Sequence, residues 1–237
     1  MDNFSCVGST WYMINGTFNA NGYNVTLSGA ASAFNTNNSS TRTVAVGSGT
    51  WTIAGTAGWN SATSTGLTVT GTGTISLTSA SAKTFAGGGV AYTNITLDQG
   101  GAGALTITGS NTFKNITNSY SATGAANITL GTTTQTVSQW TATGTVGNIL
   151  TVQGTSAASP ATLILSSGTA SVDYLAITGV RAYSLATTWY AGTHSTNNGS
   201  LGWLFSALLT NTLLKHRLYS TGNLLTNTTF NEIGISN

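Results

Sequence analysis

Charge is the scarcest property of this chain. Six Lys or Arg and four Asp or Glu among 237 residues make it 4 % charged, where an ordinary soluble domain carries about 25 %. That shortage excludes a conventional charged-surface globular enzyme. A net charge of +2 with no basic stripe also leaves nothing for the counterion release that drives nucleic-acid binding. The single cysteine, Cys6, rules out an internal disulfide; with no Cys or His at ligand spacing it also rules out a zinc site, and it reads as a small buried hydrophobe. One Pro beside 40 % hydrophobic residues excludes collagen-like and plainly disordered chains. No run approaches the roughly 18 apolar residues of a membrane span, and Met1 to Ser5 lacks the basic and apolar regions of a secretory signal. The expectation is a soluble chain that does not insert in membranes.

What is present is glycine, 30 residues of it, and a recurring unit. The pattern apolar, Thr or Ala, apolar, any residue, Gly or a small residue starts at Val25, Trp51, Leu67, Leu105, Leu150 and Leu175, with looser copies at Ile75, Ile95, Ile128 and Leu163. Period-two alternation closed by a turn residue is the pattern of a short, half-buried strand. Strand centres at 26, 52, 76, 96, 129, 151 and 176 are separated by 26, 24, 20, 33, 22 and 25 residues, mostly one solenoid coil each. The longest gap holds a further strand-like stretch from Phe113 to Ile116. Asn94 and Asn115, one coil apart, are expected to stack as a ladder.

The fold class is therefore all-β, and a parallel β-helix, or β-solenoid, competes with a sandwich. A sandwich wants tight two-residue hairpin turns, whereas the linkers here are Ser, Thr, Ala and Gly stretches of irregular length, which favours the solenoid. Residues 26 to 176 then make six to seven coils, a core about 30 to 35 Å long. Its lining is expected from Val25, Leu27, Ile53, Leu67, Val69, Ile95, Leu97, Leu105, Ile107, Leu150, Val152, Leu175 and Ile177, with the intervening Thr residues outward. The domain organisation is a lead-in cap over 1–19, the solenoid over 20–205 and a C-terminal association module over 206–237. In that module Lys215 to Tyr219 and Leu224 to Phe230 suggest a β-hairpin, and a helix from Trp203 to Leu218 competes with it. The aromatic, turn-rich stretch from Thr188 to Trp203 reads as a loop closing the last coils.

Little of this sequence can do chemistry. Asp98 and Asp173 are three coils apart, about 15 Å on the stacking spacing, beyond the reach of paired glycosidase carboxylates. Asp173 is expected to pair with Arg181 or accept turn backbone hydrogens. His194 and His216 are the only imidazoles, and neither lies in a nucleophile elbow. His194 reads as a loop residue bonding nearby backbone. The glycine runs at 87–89 and 100–103 lack the Lys and helix of a phosphate loop. No catalytic residue, metal or cofactor is expected.

The outer surface remains. Thr26, Thr52, Thr68, Thr106, Thr129 and Thr151 are expected to form outward ladders. Solenoid ends expose strand edges that charge usually protects, and this chain has little charge to place there. Trp11, Tyr12 and Ile14 at one end, with Trp203, Leu204, Phe205, Leu208 and Leu209 at the other, are the expected association surface, joining copies of the chain as a trimer or end to end. Trp189 and Tyr190 are candidates for stacking on a host-surface glycan.

The run from Lys83 to Gly89, leading to Asn94–Leu97 and then Leu105–Phe113, resembles the coils of bacteriophage-type β-helix tail fibre and appendage proteins and of bacterial β-solenoid adhesins. So does Val172–Leu175 followed by Trp189–Gly192 and Asn197–Trp203. The resemblance spans residues 20 to 205. It implies right-handed parallel β-helices in virion appendages, often trimeric, that touch the host surface, and it carries no catalytic residues over. The functional expectation is a non-enzymatic structural protein of a phage virion appendage, a fibre or decoration, that self-associates and mediates host attachment. An extracellular self-assembling filament or cell-surface adhesin subunit is the alternative, and a polysaccharide-degrading enzyme the second.

Overall fold

The structure is a computed structural model and describes residues 3–30, 33–120, 126–183 and 188–206. The described residues belong to one contact unit ending at Ser206, and every ladder between its strands is parallel. It is a β-solenoid of about eight turns, which at about 4.8 Å per coil stacks roughly 38 Å of chain.

The early coils have three sides. The first side stacks Phe4–Val7, Val25–Ser28, Thr50–Ile53 and Thr74–Leu77. The second stacks Thr10–Tyr12, Ala33–Asn35, Gly58–Asn60 and Lys83–Ala86, then continues through Leu105–Thr108, Asn127–Gly131, Leu150–Gly154 and Leu175–Thr178 to Thr196–Asn198. The third stacks Gly16–Asn19, Arg42–Ala45 and Leu67–Thr70. In the middle coils the long strands Ala91–Gln99, Thr112–Thr117 and Thr134–Trp140 run on from the third side into the first, with a register break between Tyr92 and Thr96. Ala161–Leu165 and Val180–Tyr183 then extend the same sheet, while Thr169–Ser171 pairs with Thr188–Tyr190.

This topology explains the uneven repeat. The strands centred near 26, 52, 76 and 96 lie on the first side, and those near 129, 151 and 176 lie on the second. The 33-residue gap is thus a change of side. True coil lengths come from paired residues: Leu97 pairs with Ile116, 19 residues on, and Thr136 pairs with Ile164, 28 on.

The expected core is buried except at Leu67 and Val69, which are half-buried on the last strand of the three-stranded sheet. Two other expectations fail for reasons of register. Asn115 pairs with Thr96, because the bulge after Tyr92 moves Asn94 out of line. The Thr residues form short rungs such as Thr26 with Thr52 and Thr106 with Thr129, while Thr68 lies on the third side, so no single Thr face spans the molecule. The stretch from Thr188 is no plain loop, since it supplies strands Thr188–Tyr190 and Thr196–Asn198 to the stack. Stacking begins at Phe4, inside the segment read as a lead-in. The segment in which a C-terminal β-hairpin, or alternatively a helix to Leu218, is expected lies outside the described residues from 207 on, as do Leu208 and Leu209.

Glycine matters most at one corner. Gly22, Gly47 and Gly71 sit above one another with positive φ, and a Cβ on Gly71 would come within 2.6 Å of the Gly47 backbone. A side chain there would force successive coils apart.

Candidate functional site

The first coil is where the described solenoid is least finished. Among the described residues its strands Phe4–Val7, Thr10–Tyr12 and Gly16–Asn19 each have a neighbouring strand on one side only. Val7, Tyr12 and Ile14 are 74 %, 65 % and 63 % exposed. No charged or histidine side chain occurs between residues 3 and 41, so this edge lacks the usual electrostatic guard against pairing. Beneath it, Trp11 is half-buried and lies edge-on to Phe34 and stacked on Trp51, with ring centroids 5.1 and 5.7 Å away. Trp11 therefore belongs mainly to the core end, and Tyr12 and Ile14 are the outward members of the expected surface.

At the far end of the described residues, Trp203 is buried against Trp189, 4.9 Å between centroids, and Phe205 packs half-buried on the core. Leu204 is 46 % exposed and its backbone is tied to Trp189 and Ala191. Trp189 is itself buried between Trp140 and Trp203, so its ring faces are closed to a sugar; of the two expected glycan contacts only the half-buried Tyr190 keeps surface.

The ionisable groups are used inside the fold. Arg42 is buried and donates to the carbonyls of Thr36 and Ser40 in its own corner and of Thr63 and Thr65 in the next, with the Thr36 hydroxyl as a further acceptor. Burial pulls its guanidinium below the ordinary value, an effect that Tyr92 opposes. Lys83 repeats the device at another corner, donating to the carbonyls of Ser79, Gly101 and Gly103. Burial pushes its ammonium down to about 8 against the pull of Asp98. Asp98 is buried and takes hydrogen bonds from the Ser76 hydroxyl and from both the hydroxyl and the backbone N–H of Ser119. Gln99 shares the Lys83 corner, donating to the same Gly103 carbonyl, and neutral amides alone fill another corner, where Gln135 accepts from Asn111 while donating to Gly109 and Thr133. Sequence reasoning missed Arg42 and Lys83; their position as the first residue of a strand, just after a long polar corner, was the available signal.

Asp173 pairs with His194 and not with Arg181. Its Oδ2 lies 2.7 Å from His194 Nδ1, and Oδ1 accepts the backbone N–H groups of Tyr174 and His194. Burial works to raise the carboxyl, but these hydrogen bonds and the imidazole charge outweigh it and hold Asp173 below the usual carboxylate range. Tyr174 stacks on the imidazole, centroids 4.5 Å apart and planes within 6°, and sits at a φ of 56°. The neighbouring Ser195 hydroxyl is occupied by the Ala191 carbonyl and the Leu175 N–H. Among the described residues no hydroxyl bonds to His194 through its other nitrogen, and no group of three metal-binding side chains occurs. Cys6 is half-buried in the inward row above Leu27. Asp98 and Asp173 thus stay in separate environments, one sealed by serines and one paired at the surface.

No family model, no curated protein and no solved structure matches the chain. The β-solenoid expected from the sequence resemblance is present, at the level of fold.

Proposed function

We propose that this chain is a non-catalytic structural subunit of a phage virion appendage, which associates with copies of itself and presents the solenoid to a host surface. One observation carries the association: among the described residues the three strands of the first coil pair with a neighbouring strand on one side only, and they carry exposed apolar side chains with no charged side chain among them. The sides support a scaffold role, since their half-exposed Thr residues are neutral and the buried cations already serve corner carbonyls. The virion setting rests on the resemblance of the coils to phage appendage proteins. A filament or cell-surface adhesin subunit is the second reading, favoured by the edges themselves, because parallel strand edges continue head to tail without closing.

The test is electron microscopy and sedimentation of the purified chain across concentrations, alongside Val7→Lys and Ile14→Lys. A closed oligomer that dissociates in the lysine variants supports the appendage reading. Open fibres of uniform width turn it into the filament reading. Dispersed monomers at high concentration overturn both.

A further inference from the structure

We infer that the corner between the first and second coils is a binding site for a single neutral pyranose unit. This rests on the attachment half of the proposed function, and it shares Phe4, Phe18 and Asn19 with the first-coil strands of the assembly half.

The cavity there has a volume of about 210 Å³ and is lined by Phe4, Phe18 and Tyr23 together with Asn3, Asn19 and Asn24. That is below the roughly 300 Å³ at which drug-sized pockets begin, and suits one ring. Phe4 and Tyr23 are each 37 % exposed, so aromatic faces are open to a ligand here, as those of Trp189 are not. A sugar ring's apolar C–H face stacks on such a surface.

The three asparagines make the site specific. Each carboxamide oxygen is already committed to backbone: Asn3 Oδ1 accepts from Asn24 N–H at 3.1 Å, Asn19 Oδ1 from Asn21 N–H at 2.8 Å, and Asn24 Oδ1 from Thr50 N–H at 2.8 Å. Fixing the oxygens fixes the amides, and leaves the NH2 groups of three exposed asparagines that line the cavity as donors. A donor set beside aromatic faces calls for a ligand rich in oxygen lone pairs. With no charged side chain between residues 3 and 41 there is no counter-charge for an anion, and a neutral sugar's hydroxyl and ring oxygens fit where a phosphate or carboxylate does not.

Saturation-transfer NMR on the full chain decides it, with methyl glucoside and N-acetylglucosamine as probes and glucuronic acid as the charged control. Transfer from a neutral sugar is expected, with affinity falling about tenfold in Tyr23→Ala and retained in Tyr23→Phe. Asn24→Asp keeps the oxygen that serves Thr50 but removes the NH2 donor, so binding falls while the melting temperature holds. If Tyr23→Ala proves unstable, Tyr23→Leu removes the ring face while filling the space, and the same loss is expected. No transfer from either neutral sugar, transfer unchanged in Asn24→Asp and in the ring-deleting variants, or tighter binding of glucuronic acid overturns the site. The sugar titrations are run at concentrations where sedimentation shows dispersed chain, so that a contact between first coils cannot cover the cavity, and a chain that assembles at higher concentration but binds no sugar when dispersed sinks only this proposal.

Discussion

The solenoid fills two stretches of similar coils in different ways. Up to Phe113 the core is a continuous column of rings: Trp11 meets Phe34, Phe34 meets Trp59 at 4.4 Å, Trp59 meets Phe85, and Phe85 meets Tyr92 and Phe113. From Ile128 to Val180 the interior is mainly aliphatic, with Leu130, Val137, Val152, Leu163 and Ile177 fully or almost fully buried. Both buried cations, Arg42 and Lys83, lie in the aromatic stretch. The difference teaches that a parallel stack fixes the spacing of strands and leaves the cross-section to the side chains. Where corners are long and carry several inward carbonyls, a multi-donor cation closes them; where they are tighter, the amides of Gln135 and Asn111 suffice.

The comparison breaks most visibly at Trp59. Trp59→Ala removes a fully buried ring held between Phe34 and Phe85, and its indole hydrogen bonds to Ser61 and Tyr92. The stacked rings cannot collapse into the gap without moving whole coils, so a loss of about 4 kcal/mol is expected. Leu163→Ala in the aliphatic stretch is expected to cost about 2.5 kcal/mol. Urea denaturation of both variants checks the order; equal losses would mean that the column has no special rigidity.

The two cations sharpen the contrast in different ways. Arg42→Met leaves the carbonyls of Thr36, Ser40, Thr63 and Thr65 without its donors, while removing a buried charge that has no carboxylate partner. The opposing effects leave a net loss of about 2 kcal/mol, independent of pH, because a guanidinium does not titrate in the accessible range. Lys83 does titrate there. Its folded value of about 8 lies below its ordinary 10.5, so between those values the unfolded chain binds more protons and stability rises with pH. A gain of about 1.5 kcal/mol is expected from pH 8 to pH 10. Above that, the Tyr92 phenol, pushed up to about 12 by burial, acts in the opposite direction. Melting curves across this window should rise in the native chain and stay flat in Lys83→Met.

The strands were legible in the sequence because alternation records which side chains face inward, and Val25, Leu27, Ile53, Leu105, Ile107 and Leu175 do line the core. Which side of the coil each strand occupies was not, because all sides share the same period of two. The column Phe34, Trp59 and Phe85 held that information at near-coil spacing, and the apolar-Thr-apolar units drew attention away from it. Site residues fared unevenly for a related reason. Burial of Trp189 depends on Trp140, 49 residues before it, as well as on Trp203, whereas exposure of Tyr12 and Ile14 follows from their position in the first coil.

The smallest effect is expected at Asp173, the carboxylate that is not buried among the described residues, and it separates surface electrostatics from corner filling. Asp173 and His194 are both partly solvated, with side chains 31 % and 57 % exposed, so solvent screens their attraction. The carboxyl is held below its ordinary 3.8, so its contribution is present above that value and is lost as pH falls through the lower folded value. Asp173→Asn keeps an oxygen for the Tyr174 and His194 N–H groups and discards the charge together with the Oδ2 acceptor that faces His194 Nδ1. It should cost about 0.5 kcal/mol at pH 6, and the cost should fade in acid or in high salt. Arg42→Met should keep its full cost in salt, because the side chain is buried and its acceptors are uncharged carbonyls. A salt-sensitive Arg42 or a salt-insensitive Asp173 would show that corner filling and surface pairing had been assigned to the wrong residues.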